Sequence, residues 1–179
     1  MERIWVDPRE IDTIIYREEV KAVTGIHRSK ASGCVVDWKK IKGEKPLMEE
    51  FRVQYCFKHW KEGMEWDEIG VYDYMSNTKM YGNWPREKIT ARFKMLDKAY
   101  EEAKKTGRLK TRNELQPSNF REKDGILVHI GKNGKPIFGG NGFHRLAIAK
   151  VLELDLIPAC IGIVDKESIK FLDQYRRKN

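Results

Sequence analysis

The strongest periodic signal in the chain lies near its middle, where Ile89, Phe93, Leu96, Tyr100 and Ala103 recur at steps of four, three, four and three. That spacing predicts the apolar stripe of an amphipathic helix. Asn83 suits its cap, Pro85 its first turn and Gly107 its C-terminal stop. Upstream, Leu47, Phe51, Tyr55 and Trp60 fit a second helix, ended by Gly63. Between the two, residues 62–68 read as an exposed loop around one buried tryptophan, Trp66, and residues 70–82 as aromatic and irregular. Residues 47–110 thus read as a helical block.

Strand-like runs flank this block. Residues 3–6 form the first, closed by Asp7-Pro8, because proline removes a donor and restricts the residue before it. A turn or short helix follows over 10–16, and within the mixed stretch 17–46 only 34–36 looks like a strand. Further on, 126–130 and 136–138 are two apolar runs separated by Lys132-Asn133-Gly134-Lys135, the signature of a β-hairpin. The hairpin opens directly into Gly139-Gly140-Asn141-Gly142, followed by strong helix formers over 143–152. A strand over 157–164 and a last helix, capped by Asp165 and bearing Ile169, Leu172 and Tyr175, complete the order. The pattern predicts an α/β fold with a small mixed sheet.

Composition narrows the class. The chain has 179 residues, 40% of them hydrophobic, which suits one globular domain rather than a disordered chain. Three widely spaced cysteines, Cys34, Cys56 and Cys160, form no CxxC pair, so neither a disulfide framework nor a metal site is expected. With no signal-like or membrane-spanning apolar run, a soluble cytoplasmic protein with no membrane partner is expected. Lys and Arg number 35 against 27 Asp and Glu, a formal net charge of +8. Residues 79–112 hold 11 basic and 4 acidic side chains, nearly the whole surplus. Lys94, Lys98, Lys104 and Lys105 on this helix are candidate contacts to DNA or RNA phosphates; the same lysines also fit a solvated outer face.

The glycine loop carries the second candidate chemistry. Glycines permit positive φ and close approach of backbone to a ligand. The first amides of the following helix lack intrahelical acceptors and lie at the positive end of its dipole, so the place attracts an anion. His144 adds a titratable donor and Arg145 a planar fork for phosphate oxygens. Gly139, Gly140, Asn141, Gly142, His144 and Arg145 are therefore the expected phosphate-binding set. Neither a Walker GK[ST] nor a dinucleotide GxGxxG is present.

The run FGGNGFHRLAIAKVLELDLIPACIGIV, starting at Phe138, resembles the core signature of the ParB/sulfiredoxin superfamily. There a glycine turn and a His-Arg or Arg-Arg pair lead into an alanine-rich helix and a strand opening with Ile-Pro. The resemblance covers about residues 124–165, and Val6 to Ile11 resembles the superfamily's first strand and turn. It implies a single ParB/sulfiredoxin-like α/β domain with 47–110 as a helical insertion, binding ATP or CTP, with magnesium as a companion of the phosphates. It further implies an ATP-dependent phosphotransferase as one activity, with His144 positioning or exchanging a proton and Glu10 as the catalytic carboxylate. A nucleic-acid-binding module, with or without nuclease action, is the alternative. Sulfiredoxins carry a cysteine directly before the pair; Asn141, Gly142 and Phe143 stand there here, so sulfinic-acid reduction is not expected.

Overall fold

The computed structural model describes residues 2–27, 30–78, 84–119 and 122–176. Among the described residues, seven strands form one mixed sheet: β1 (Arg3–Val6), β2 (Thr13–Ile14), β3 (Val35–Val36), β4 (Lys45–Pro46), β5 (Ile126–Ile130), β6 (Pro136–Phe138) and β7 (Ile157–Asp165). Their order is β1-β7-β5-β6-β2-β4, with β3 also pairing the end of β7. Strands β5 and β7 run parallel, while β1 lies antiparallel to β7, matching Arg3 to Cys160 and Val6 to Ile157. The expected hairpin is present: β5 and β6 are antiparallel, with Val128 opposite Phe138 and Ile130 opposite Pro136. Asn133 and Gly134 both take positive φ in the turn, as their side chains allow.

Helices α1 (Arg17–Thr24), α2 (Phe51–Trp60), α3 (Val71–Asn77), α4 (Arg86–Thr106), α5 (Arg112–Leu115), α6 (Phe143–Val151) and α7 (Leu172–Arg176) pack around this sheet. The long basic helix α4 buries Ile89, Phe93, Tyr100 and Ala103 as its stripe predicts, and it stops at a left-handed Gly107. Pro85 occupies the N-cap position; Asn83 lies outside the described residues. Four expectations change, the first being that the stretch 17–46, read as holding only the 34–36 strand, also holds α1 and β4. Residues 10–16 are not one turn or helix: a 3-10 turn over Pro8–Glu10, capped by the Asp7 carboxylate, runs into β2, where the β-branched Thr13 and Ile14 find partners in β4 and β6. Within 70–82 a helix, α3, starts after a left-handed Gly70 and buries Val71 and Met75, an i,i+4 pair hidden among aromatic residues. Asp165 does not cap a continuous last helix, because its carboxylate instead accepts the Trp38 amide at 3.2 Å and the Ser168 hydroxyl at 3.3 Å. The chain there forms a 3-10 stretch, Lys166–Phe171, before α7, and Ile169 is turned outward.

Alternation along the strands divides the core into two faces. Val128, Ile130, Phe138 and Ile161 face α6 and its Leu146 and Ile148, whereas Ile137 and Ile163 face α1 and Trp38. A third cluster fills the space between α2, α3 and α4 with Tyr55, Trp66, Met75, Ile89 and Phe93, and it reaches α6 through Ala147. Helix α6 therefore belongs to both the sheet core and the helical block. Within that block Asp97 accepts the indole N–H groups of Trp60 at 3.0 Å and Trp66 at 3.1 Å, and the His59 ring stacks on Trp66 at 3.8 Å.

One irregularity in the sheet has a clear cause. Between Val128 and Ile130 the β5–β7 register slips, so that Gly162 and Ile163 together face His129. The Ile163 amide, displaced from the ladder, donates to His129 Nδ1 at 3.0 Å. A Cβ on Gly162 would lie 2.0 Å from that nitrogen, so the bulge needs glycine. Gly162→Ala is expected to cost roughly 1–3 kcal/mol through forced overpacking. His129→Leu should cost about 1–3 kcal/mol by stranding the Ile163 amide. Urea unfolding of both variants, with the midpoint falling and the slope unchanged, is the measurement.

Candidate functional site

The loop between β6 and α6 is shaped by β5. The Gly139 amide donates to the Leu127 carbonyl at 2.8 Å and the Leu127 amide to the Asn141 carbonyl at 3.1 Å, hooking the loop around one residue. Asn141 also donates its side-chain amide to the Gly125 carbonyl at 2.8 Å. Gly140 and Gly142 have φ of 73° and 87°. A Cβ on Gly142 would come within 2.8 Å of Ile126 Cα, so both the space and the backbone conformation demand glycine there. Gly142 is the N-cap of α6, and no side chain caps the helix. The Leu146 amide donates to the Gly142 carbonyl at 2.9 Å, and the amides before it open outward.

They open into a cavity of about 520 Å³, lined by the 140–145 segment, by Tyr16, Arg17 and Glu18 at the start of α1, by Arg52 of α2, and by Arg92 and Leu96 of α4. Among the described residues four arginines thus line one space, with Glu18 the carboxylate beside them. Arg52 lies over the Phe143 ring with its guanidinium carbon 3.5 Å from the centroid, and also pairs with Glu50 at 3.2 Å. Arg92 brings a terminal nitrogen to 3.5 Å from His144 Nδ1. Arg17 pairs with its neighbour Glu18 at 2.7 Å, both mostly exposed at the rim.

His144 stands between these cations. A guanidinium only donates, so the ring must turn its Nδ1 lone pair toward Arg92, leaving the Nε2 proton to be donated to the Tyr55 hydroxyl at 2.5 Å. Burial, then the positive charges of Arg92 and Arg52, push its pKa down to about 3. The imidazole is neutral at physiological pH. Arg145 is used differently from its expected role as a freely presented fork: one terminal nitrogen donates to the Lys110 carbonyl at 2.5 Å and lies 3.8 Å from the fully buried Glu122 carboxylate. Glu122 in turn accepts the Arg112 amide at 2.9 Å and Arg3 at 3.1 Å, tying β1, α5 and α6 together. Arg145 Nε is buried with no hydrogen-bond partner among the described residues.

Of the expected phosphate set, the structure gathers Gly140, Asn141, Gly142, His144 and Arg145 at the cavity wall. Gly139 faces inward: a Cβ there would strike Leu127 and His129. Glu10 is not brought to His144. It is exposed on the 3-10 turn that Lys150 fastens to α6, through bonds of 2.8 Å to the Pro8 carbonyl and 2.9 Å to the Ile11 carbonyl. Six residues along α6 separate His144 from Lys150, about 9 Å of helix rise, and Glu10 lines a different cleft, with Asn133 and Tyr175. The residues that sequence reasoning missed are Arg17, Glu18, Arg52, Tyr55 and Arg92. A signal existed for one of them: Arg92 is three residues after Ile89 and four before Leu96, a cation inside the apolar stripe.

Lys94, Lys98, Lys104 and Lys105 are all exposed on α4. At 3.6 residues per turn, Lys94, Lys98 and Lys105 fall within about 40° of one another, and Lys104 lies roughly 80° or more away from that stripe. Glu87 and Glu101 lie in the same stripe as the three lysines. Among the described residues no group of three or more His, Cys, Asp or Glu is placed to hold a metal ion, and no helix is long and apolar enough to cross a membrane.

The state of His144 predicts an acid-sensitive fold. Its folded pKa of about 3 lies below the ordinary 6.5, so as pH falls below 6.5 the unfolded chain takes up a proton that the folded chain refuses. Stability is then complete above pH 6.5 and lost progressively as pH falls toward 3. Between pH 6.5 and 5, above the range of most carboxylates, the thermal midpoint of His144→Gln should fall less steeply than that of the parent protein; parallel curves would refute the assignment.

No family model, no curated protein and no solved structure matches this chain.

Proposed function

We propose that the chain binds a nucleotide, or a related phosphate-bearing ligand, in the cavity at the N-terminus of α6, as a ParB/sulfiredoxin-like domain with a helical insertion. The observation that carries this reading is the convergence of four arginines and the uncapped amides of α6 on one space. Positive dipole ends and guanidinium forks both favour phosphate oxygens. A cavity of about 520 Å³ is of nucleotide size. The hairpin, glycine turn, helix and parallel strand follow one another in the order that the superfamily resemblance implies.

ATP or CTP would place its phosphates on the 140–145 amides and the arginines, with the nucleoside toward Tyr16 and Glu18. Magnesium would arrive on the phosphates, since Glu18 is the carboxylate lining the cavity. Phosphotransfer is the reaction class this arrangement supports: guanidiniums offset charge on the transferring group, and the neutral His144, backed by Tyr55, positions Arg92. Glu10 lines a different cleft, with Asn133 and Tyr175, and Glu18 is the carboxylate among the described residues at this one.

Ligand at about 100 times its dissociation constant should stabilise the native state by roughly 2.7 kcal/mol, raising the melting temperature by roughly 5–10 °C for a chain of this size. Scanning fluorimetry with ATP, CTP and GTP, with and without magnesium, measures it. Indifference to all three at millimolar concentration would remove the nucleotide reading. The alternative, nucleic-acid binding by the outer face of α4, makes a separate forecast. Gln at Lys94, Lys98, Lys104 and Lys105 should leave nucleotide affinity unchanged. If duplex DNA is bound through those lysines, the same variant flattens the salt dependence by about 0.9 for each phosphate it no longer neutralises.

A further inference from the structure

We infer that Arg52 and Arg92, both supplied by the helical insertion, form the clamp that grips the terminal phosphate of a nucleoside polyphosphate, and that Arg145 acts mainly as a structural tie. This rests on the phosphate-binding reading and assigns the side chains within it.

The placement of the three guanidiniums carries the argument. Arg52 lies against Phe143 and Arg92 against His144, the first two residues of α6. Both forks therefore stand over the same turn from which the uncapped amides open, approaching it from α2 and α4. Arg145, one residue further, sends its guanidinium toward the Lys110 carbonyl and the buried Glu122. One of its terminal nitrogens, the same for both contacts, holds the segment after α4 and the Glu122 loop on α6.

Charge points the same way. Facing His144 are Arg52 and Tyr55 from α2 and Arg92 from α4, with Arg145 beside it on α6 and Arg17 and Glu18 across the cavity. Glu50 pairs with Arg52 and Glu122 with Arg145 from outside the lining, and among the described lining residues four arginines stand against the Glu18 carboxylate, an excess of positive over negative groups. A terminal phosphate, with three acceptor oxygens and up to two negative charges, complements that excess and can accept from two forks and the amides at once. The remaining phosphates and the nucleoside extend toward Tyr16. The insertion is then part of the binding site: α2 and α4 close over the glycine turn.

The test compares Arg52→Gln, Arg92→Gln, the double variant and Arg145→Gln in the full chain, measuring affinity for ATP and for inorganic tripolyphosphate by calorimetry. Each single clamp variant should weaken both ligands by about tenfold or more, and the double variant by about a hundredfold or more. Arg145→Gln should melt lower, while its folded form binds within a few-fold of the parent. A double variant that binds like the parent, or an Arg145→Gln protein that alone loses affinity, overturns the clamp while leaving the phosphate reading intact. A parent that binds neither ligand at low salt overturns both.

A second measurement covers an Arg145→Gln protein that does not fold. In the parent, the His144 ring signals are followed by NMR through an acid titration with and without saturating tripolyphosphate. Anion between Arg52 and Arg92 should raise the titration midpoint toward the ordinary histidine range, and an unchanged midpoint with ligand bound overturns the clamp.

Discussion

Gly142 takes a left-handed conformation so close to Ile126 that a single added carbon would meet the backbone of β5. That approach sets the direction in which α6 leaves the sheet, and with it the direction of the uncapped amides. The ladder bonds of Leu127 with Gly139 and Asn141 hold the loop in the same place. Because the turn is pinned by backbone on both sides, the first residues of α6 are presented rigidly to whatever α1, α2 and α4 bring to them.

Around this fixed turn the fold assembles a concentration of positive charge that would be unfavourable without compensation in a buried setting. Each guanidinium is given a local reason to be there: Arg52 packs on an aromatic ring, Arg145 satisfies a buried carboxylate, Arg92 meets an imidazole and Arg17 pairs with Glu18. The cost falls on His144, which stays neutral because burial, and then the positive charges of Arg92 and Arg52, disfavour a proton there. The polar pins away from the cavity, Lys150 on the Pro8 and Ile11 carbonyls and Glu122 under β1, hold the frame on which this charge is mounted.

Much of the frame is legible in the chain. The α4 stripe, the β5–β6 hairpin, the glycine turn and the following helix and strand announce themselves by periods of 3.6 or 2 and by Asn-Gly and Gly signals, all of which are local. The stretch 10–16 misleads because two-residue strands such as β2 exist only through their partners, β4 and β6. Helix α3 escapes because seven residues rich in aromatics carry too short a period to stand out. The bulge at Gly162 and the use of His129 as an acceptor follow from a register between strands far apart in sequence.

At the site, the sequence by itself determined that a glycine turn over residues 139–142 leads into a helix with a His-Arg pair in its first turn, since glycine conformation and helix termini are local chemistry. It also determined that α4 is basic outside and apolar inside. Only the tertiary structure decided which of the charged residues share a space. Arg17, Arg52 and Arg92 come from three separate helices, and a charge in an amphipathic helix looks the same whether it meets solvent or a neighbouring element. The turn bearing Glu10, the expected catalytic carboxylate, is fastened by Lys150 toward the far end of α6, and Arg145 is drawn to Glu122, a buried carboxylate that needs a cation. Local rules place a residue on an element, but the company it keeps depends on how distant elements pack, and long-range electrostatic pairing follows that packing.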